Sequence, residues 1–206
     1  MAATVDPLLP LSLLEAVRTV DTPDQDEAEF VPELRNKRLG LSETVYAQIR
    51  RFTEAVRRNH RGSFEESVAL ARLIGRRPDA ADVFGAAGRY LANRSYETIP
   101  MSTRRLMRLL PSLLSRPIAL RHVRRIAERY LNGTVARVGS SIMLTVPESV
   151  TLDSAPKQTG CVYYEASLRE LLRLMVDGAG AVEHVRCAGR AEGTCEWRAE
   201  WRPAKS

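Results

Sequence analysis

The sequence predicts an α+β fold in which an N-terminal layer of about five helices packs on a C-terminal antiparallel β-β-α-β-β sheet unit. Two changes of pattern along the chain predict it. From Leu41 to Tyr130, apolar residues recur at intervals of three and four, the spacing of one helix face. After Asn132 and Gly133 they alternate with polar residues, as in a half-buried strand. Helices gathered ahead of the strands indicate that helices and sheet are segregated.

The length and composition are those of one globular domain, or of one domain with an appendage. The chain has 206 residues, of which 44% are hydrophobic and 27% are charged. No run approaches the roughly 18 apolar residues that a membrane span needs. The N-terminal apolar run has no basic residue before it and contains Asp6 and Pro10, unlike a signal peptide. We therefore expect a cytoplasmic protein with no membrane span.

Residues 1–38 are predicted to form an appendage to the folded part. The apolar segment from Leu8 to Val17 could form a helix or dock on a partner. The acidic stretch 21–30 is poor in apolar residues and is predicted to be a flexible linker. The folded domain is then expected over 39–206, with a helical part at 39–131 and an α+β part at 132–206.

Capping residues define the first three helices of the folded part. Ser42 and Ser63 can each cap the start of a helix, because their hydroxyls can accept a hydrogen bond from a free N–H of the first turn. Pro78 ends the second helix, and the third begins near Asp79. The small residues at 85–88 in the third helix would let a neighbouring helix approach closely.

Two further helices and the strands complete the predicted order. The fourth helix is predicted over 102–114, broken by Pro111, and the fifth over 118–130. Strands 134–138 and 141–146 flank a tight turn at Gly139 and Ser140. The remaining predicted elements are a helix from Cys161 to Val176 and strands at 181–187 and 194–201.

Four residues of the C-terminal half have the types and spacing of a zinc site. The only three cysteines are Cys161, Cys187 and Cys195, and His184 precedes Cys187 by three residues. An odd number of cysteines in a cytoplasmic protein favours metal binding over disulfides. A hairpin between the last two strands would bring Cys187 and Cys195 together, and the start of a helix favours a thiolate at Cys161. Buried free cysteines with a surface histidine are the alternative.

A closed set of three cysteines and one histidine leaves no open coordination position for water. The predicted zinc ion is therefore structural, and we expect no catalytic residue. His60 and His122 lie on basic helix faces without an obvious acidic partner, which also argues against an enzyme.

The segment from Cys161 to Trp201 resembles the 4-vinyl reductase type of small-molecule-binding domain. It is similar in particular to the sensor domains of phenol-responsive bacterial activators, which hold zinc with residues at the same separations of 23, 3 and 8. The order of helices followed by β-β-α-β-β fits as well, so the resemblance extends over 41–206. His184 replaces an acidic ligand of those sensors, and their phenol-binding polar residues have no clear counterparts here.

The resemblance implies a zinc-containing sensor or carrier domain of a bacterial regulatory protein. A small apolar or aromatic molecule would bind between the helices and the sheet. Candidate lining residues are Tyr130, Met143, Tyr163, Tyr164, Leu168 and Trp197. For any one of them, an ordinary core position is the favoured alternative.

Two other functions stay open from the sequence. The chain could be a non-enzymatic adapter, similar to subunits of vesicle-tethering complexes, which forms a homodimer or binds a protein partner through 1–38. It could also bind nucleic acid, since the net charge is +6. Eight arginines concentrate in two helices, at positions 104, 105, 108, 116, 121, 124, 125 and 129. No nucleic-acid motif accompanies them, so solvated helix faces are favoured.

Overall fold

The protein is a mixture of helix and antiparallel sheet, as the sequence predicts. A computed structural model describes residues 3–22, 39–154, 156–176, 181–190 and 192–200. Seven α-helices lie in this part of the chain: α1 (Leu8–Asp21), α2 (Glu43–Arg57), α3 (Phe64–Gly75), α4 (Ala80–Glu97), α5 (Met101–Leu109), α6 (Ser112–Tyr130) and α7 (Val162–Val176).

Six strands in the described residues form two antiparallel sheets. The short strands β1 (Thr4–Val5) and β2 (Gly62–Ser63) pair with each other. The larger sheet has the order β3-β4-β6-β5 and consists of β3 (Thr134–Val138), β4 (Ser141–Val146), β5 (Val182–Arg186) and β6 (Cys195–Glu200). The turn between β3 and β4 contains only two residues. Gly139 has a φ of 60° there, a conformation that glycine adopts without strain.

The N-terminal segment is not an appendage, and this corrects the predicted division of the chain. Leu8–Asp21 forms α1, whose Leu9, Leu13 and Val17 are buried in the same core as the rest of the protein. The helix packs against α4 and α2. Its apolar residues therefore contact this chain itself. The predicted linker falls almost entirely on 23–38, which lies outside the described residues.

An ion-pair network holds the end of α1. Asp21 is 5% exposed, and its carboxylate accepts hydrogen bonds from the Arg77 guanidinium at 2.6 and 2.9 Å. The same carboxylate accepts the backbone N–H of Gly40 at 2.7 Å. Arg77 also pairs with Asp79, at the start of α4. The network thus joins α1, the turn before α2 and the α3–α4 connection.

The helix caps follow the sequence, but one helix boundary does not. The hydroxyls of Ser42 and Ser63 accept backbone N–H groups of the first turns of α2 and α3, both at 3.3 Å. The fourth predicted helix ends early, since α5 stops at Leu109. Pro111 immediately precedes α6, where its missing N–H costs no helical hydrogen bond because the first N–H groups of a helix have no partner within it. Pro117 is accommodated inside α6.

Close packing of α4 against α7 connects the helices to the sheet. Gly88 lies so near α7 that a Cβ at this position would come within 2.3 Å of the Tyr163 carbonyl oxygen. This confirms that the small residues of the third predicted helix allow a close approach. The helix α7 in turn contacts β5 and β6, on which Trp197 and Ala199 are fully buried. The core is therefore continuous from α1 through α4 and α7 to the sheet.

Candidate metal centre

Cys161, His184, Cys187 and Cys195 come together in the structure. Their four potential ligand atoms all lie within 4.8 Å of one another, and the Cys161 and Cys187 sulfurs are 4.0 Å apart. Four tetrahedral ligands at about 2.3 Å from a zinc ion would be about 3.8 Å apart. The sulfur separation is far longer than a disulfide bond. The four residues therefore form a group that could hold a metal ion.

The elements that carry the four potential ligands meet at one end of the large sheet. Cys161 is the last residue of a 3₁₀ turn, Pro156–Cys161, and immediately precedes α7. His184 is on β5, Cys187 follows β5, and Cys195 begins β6. A register shift between His184 and Arg186 interrupts the β5–β6 pairing. This irregularity at the strand end lets residues three apart face the same point, which regular alternation would prevent.

Backbone groups around the cysteines support the same arrangement. The N–H of Ala188 donates to the Cys195 sulfur at 3.4 Å, a bond that favours a thiolate. The carboxylate of Glu192 accepts the N–H of Cys187 at 2.8 Å and so fixes the β5–β6 connection. All three cysteines are buried, and none of them forms a disulfide. The sequence did not predict that Glu192 takes part in this site. Its only signal was its position as an acidic residue in the loop between Cys187 and Cys195.

His184 has an orphaned atom that a metal could satisfy. Its Nε2 is buried and has no hydrogen-bond partner in the described part of the chain. Leaving a buried polar atom unsatisfied costs about 1–3 kcal/mol. The imidazole ring is stacked on Trp197, with ring centroids 4.7 Å apart. Burial and the nearby Arg190 lower the pKa of His184, which keeps the ring in its neutral, ligating form.

Burial opposes ionisation of the cysteines when no metal is bound. It raises the pKa of Cys161 well above its ordinary value, and the neighbouring Cys187 and Cys195 add to the shift. Burial also raises the pKa of Cys195. Three thiolates this close would repel one another, so a cation is needed to hold them in the charged form. The donor types, their spacing and their burial all fit a metal ion.

The six predicted ligand-lining residues are not in one place. Tyr163, Tyr164, Leu168 and Trp197 are fully buried and lie together in the core. The Tyr164 ring contacts both of the other aromatic rings, with centroids 5.2 Å from Tyr163 and 5.0 Å from Trp197. The two tyrosine hydroxyls form hydrogen bonds inside the core. The Tyr163 hydroxyl shares a hydrogen bond with the Ser12 hydroxyl, and the Tyr164 hydroxyl accepts the N–H of Val150.

Met143 and Tyr130 lie apart from these four residues. Met143 is on the opposite face of β4 from the buried Ile142 and Leu144, and it is half-buried. Successive side chains of a strand face opposite sides of the sheet, so Met143 cannot share the buried face with its two neighbours. This alternation is visible in the sequence of the strand. Tyr130, at the end of α6, borders a cavity of about 480 Å³ among helices α1, α2, α4 and α6. The cavity lining includes the apolar Leu11 and Val56 and several charged residues.

Comparisons with models of protein families, with curated proteins and with solved structures gave no match. Within the described residues, no helix is long and apolar enough to cross a membrane.

Proposed function

We propose that this protein is a zinc-braced small-molecule sensor or carrier of the 4-vinyl reductase type. The proposal rests on one observation, the convergence of Cys161, His184, Cys187 and Cys195 within 4.8 Å. Their separations along the chain are those of the phenol-responsive sensor domains that the segment resembles. The four-stranded antiparallel sheet with α7 between its two hairpins is consistent with that resemblance.

The donor set favours zinc among the biological metals. Thiolates and imidazole bind zinc well, and hard cations such as magnesium and calcium prefer oxygen. Three cysteines and one histidine complete a tetrahedron without a water molecule, so the ion would brace the fold and perform no chemistry. We therefore propose a non-enzymatic role. The brace would fix the β5–β6 connection to the start of α7.

The proposed ligand site is the cavity beside Tyr130. Its volume of about 480 Å³ falls within the usual size of small-molecule pockets, about 300–1,000 Å³. Leu11, Val56 and Tyr90 offer apolar contacts, and Arg94 and Arg129 lie at the same cavity. The two arginines pair with Glu97 and Asp6, which also line the cavity, so the lining suits a small apolar or aromatic molecule. The buried tyrosines and Trp197 would then be core residues that connect this region to the zinc site.

The adapter function is less well supported, because the segment expected to bind a partner is used internally. Leu9, Leu13 and Val17 of α1 are buried in the core and are unavailable to another protein. The nucleic-acid function would use the arginines of α5 and α6, but some of these already have partners within the chain. Arg129 pairs with Asp6, and Arg124 donates to the Val135 carbonyl.

Native mass spectrometry of the freshly purified protein tests the zinc proposal. We expect one zinc ion per chain, lost in His184→Ala. His60→Ala is the matched control, since His60 is an exposed histidine outside the cluster, and it should keep the ion. A wild-type chain that is folded and free of metal would overturn the proposal.

A fluorescent aromatic acid, anilinonaphthalene sulfonate, tests the cavity. We expect saturable binding that Thr53→Trp blocks, because Thr53 is an exposed residue at the cavity. Thr19→Trp adds the same ring at an exposed position of α1 outside the described cavity lining and should leave binding unchanged. Equal binding by the two variants would exclude this cavity as the ligand site. The same native mass spectra would reveal a co-purified small molecule.

A further inference from the structure

Exposed apolar side chains concentrate where α5 meets α6. Leu109 is 83% exposed, Met101 and Leu114 are each 57% exposed, and Leu106 is 47% exposed. These four residues lie within 14 positions of the chain, on both sides of the break at Pro111. Large side chains of this kind are normally scattered singly on a protein surface. Elsewhere in the described residues, comparable exposure occurs only at Leu39, Leu73 and Val138.

The same region is strongly basic. No acidic residue occurs between Glu97 and Glu128, and this interval contains Arg104, Arg105, Arg108, Arg116, Arg121, Arg124 and Arg125. Arg105 and Arg108 are exposed on α5, and neither has an acidic partner within the described residues. Arginines elsewhere on the helices, such as Arg57, Arg94 and Arg173, pair with a glutamate on the same helix. We call Met101, Arg105, Leu106, Arg108, Leu109 and Leu114 the Leu-Arg corner.

We propose that the Leu-Arg corner binds the surface of an anionic lipid bilayer. The leucines would enter the boundary between headgroups and acyl chains, and the arginines would contact the headgroup phosphates. An interfacial helix needs this combination of exposed apolar residues and basic residues. Each arginine near an anionic surface contributes about 1 kcal/mol, and burial of a leucine side chain contributes about 1.5–3 kcal/mol. The two contributions together give reversible attachment without a membrane span.

A bilayer explains both features of the corner better than a nucleic acid does. Phosphodiester groups would attract Arg105 and Arg108, but they offer nothing to Leu109. An acidic protein would need a pocket for a leucine that is 83% exposed, whereas a fluid lipid surface adapts to a projecting side chain. Charge complementarity and exposed apolar area therefore point to the same partner.

Vesicle sedimentation of the intact protein tests this attachment. Vesicles of phosphatidylcholine mixed with phosphatidylserine should carry the protein down at low salt, and vesicles of phosphatidylcholine alone should not. The Arg105→Gln/Arg108→Gln variant should bind about thirtyfold more weakly, from about 1 kcal/mol for each arginine. Leu109→Ser should bind about tenfold more weakly because it loses the inserted side chain. Both changes are at exposed positions, and circular dichroism would verify the fold.

The helix α3 supplies matched controls. Arg72 and Arg76 are exposed, and Leu73 is 46% exposed. Arg72→Gln/Arg76→Gln and Leu73→Ser should bind the anionic vesicles as tightly as the unmodified protein does. The proposal is overturned if the protein does not sediment with anionic vesicles, or if Leu109→Ser binds unchanged. Tighter binding to a DNA duplex than to vesicles, or a solution dimer that Leu109→Ser dissociates, would assign the corner to another partner and also overturn it.

Discussion

The ring of His184 stacks on the ring of Trp197, with centroids 4.7 Å apart and planes inclined by 11°. The two residues are direct cross-strand partners on β5 and β6. Trp197 also contacts Tyr164 of α7 on the core side. The orientation of one potential metal ligand is therefore set by a side chain that is fully buried. Residues that orient ligands in this way contribute to metal affinity without touching the metal.

Replacing Trp197 by leucine should weaken zinc binding by about ten- to a hundredfold, the usual effect of losing an orienting partner. The stacked surface that restricts the His184 ring would be lost. Competition with a chromophoric chelator measures the affinity.

Tyr164→Phe is the control for a loss of stability alone. It keeps the ring against Trp197 and removes only the hydroxyl that accepts the Val150 N–H at 3.1 Å. The variant should be destabilised by about 1–3 kcal/mol and should bind zinc normally. If both variants lose zinc affinity equally, the stacking has no specific role.

Zinc removal should abolish the rise of stability with pH below about 9 and introduce a loss of stability above about 9. In the zinc-bound protein the cysteines are thiolates, so the unfolded chain binds more protons and stability should rise with pH. In the metal-free protein, burial raises the pKa of Cys195 above its ordinary value of 9.0. Its folded state then binds more protons, so stability is fully present below about pH 9 and is lost as the pH rises. Urea unfolding of both forms across this range measures the difference.

Tyrosine ionisation should extend the alkaline loss in both forms. Burial raises the pKa of Tyr164 to about 12 from its ordinary value of 10.0. The unfolded state ionises first, so this stability disappears between about pH 10 and pH 12. For the cysteines, the contrary outcome is a metal-free protein whose stability does not change from pH 8 to pH 10. That result would show that the Cys195 thiol is not buried in its neutral form.

Arg77→Ala should destabilise the protein by about 3–5 kcal/mol, because it removes the guanidinium that neutralises the buried Asp21 carboxylate. The Asp21 side chain is 6% exposed. Chemical denaturation measures the change. The exposed pair of Arg94 and Glu97 is the control, and Arg94→Ala should change stability by less than about 1 kcal/mol. A small effect at Arg77 would show that α1 is not held by this network.

Two glycines of α4 should respond in opposite ways to alanine. Gly88→Ala places a methyl group within 2.3 Å of the Tyr163 carbonyl oxygen, so α4 and α7 must move apart. We expect a loss of about 1–3 kcal/mol. At Gly85 the nearest atom is 3.4 Å away, at the end of the Arg89 side chain. Gly85→Ala should therefore gain about 0.5–1 kcal/mol from helix propensity. Thermal unfolding of both variants tests the helix contact.

Local chemistry made much of this structure predictable. Ser42 and Ser63 cap helices because a hydroxyl can satisfy a free N–H nearby in sequence. Gly139 marks a two-residue turn because of its positive φ. The break at Pro111 is where the sequence predicts it, but residues 112–114 belong to the helix after the proline, and the sequence pattern did not show on which side of it the helix would continue.

The sequence by itself determined most of the order of helices and strands and the identity of the four converging residues that could hold a metal ion. Those properties depend on periodicity and on scarce residue types, which are local. Only the tertiary structure decided that α1 belongs to the core, because an apolar segment carries no mark of whether it will bury against its own chain or another. It also decided that Trp197 orients His184. That contact depends on the register of β5 against β6, which arises from the packing of the whole sheet.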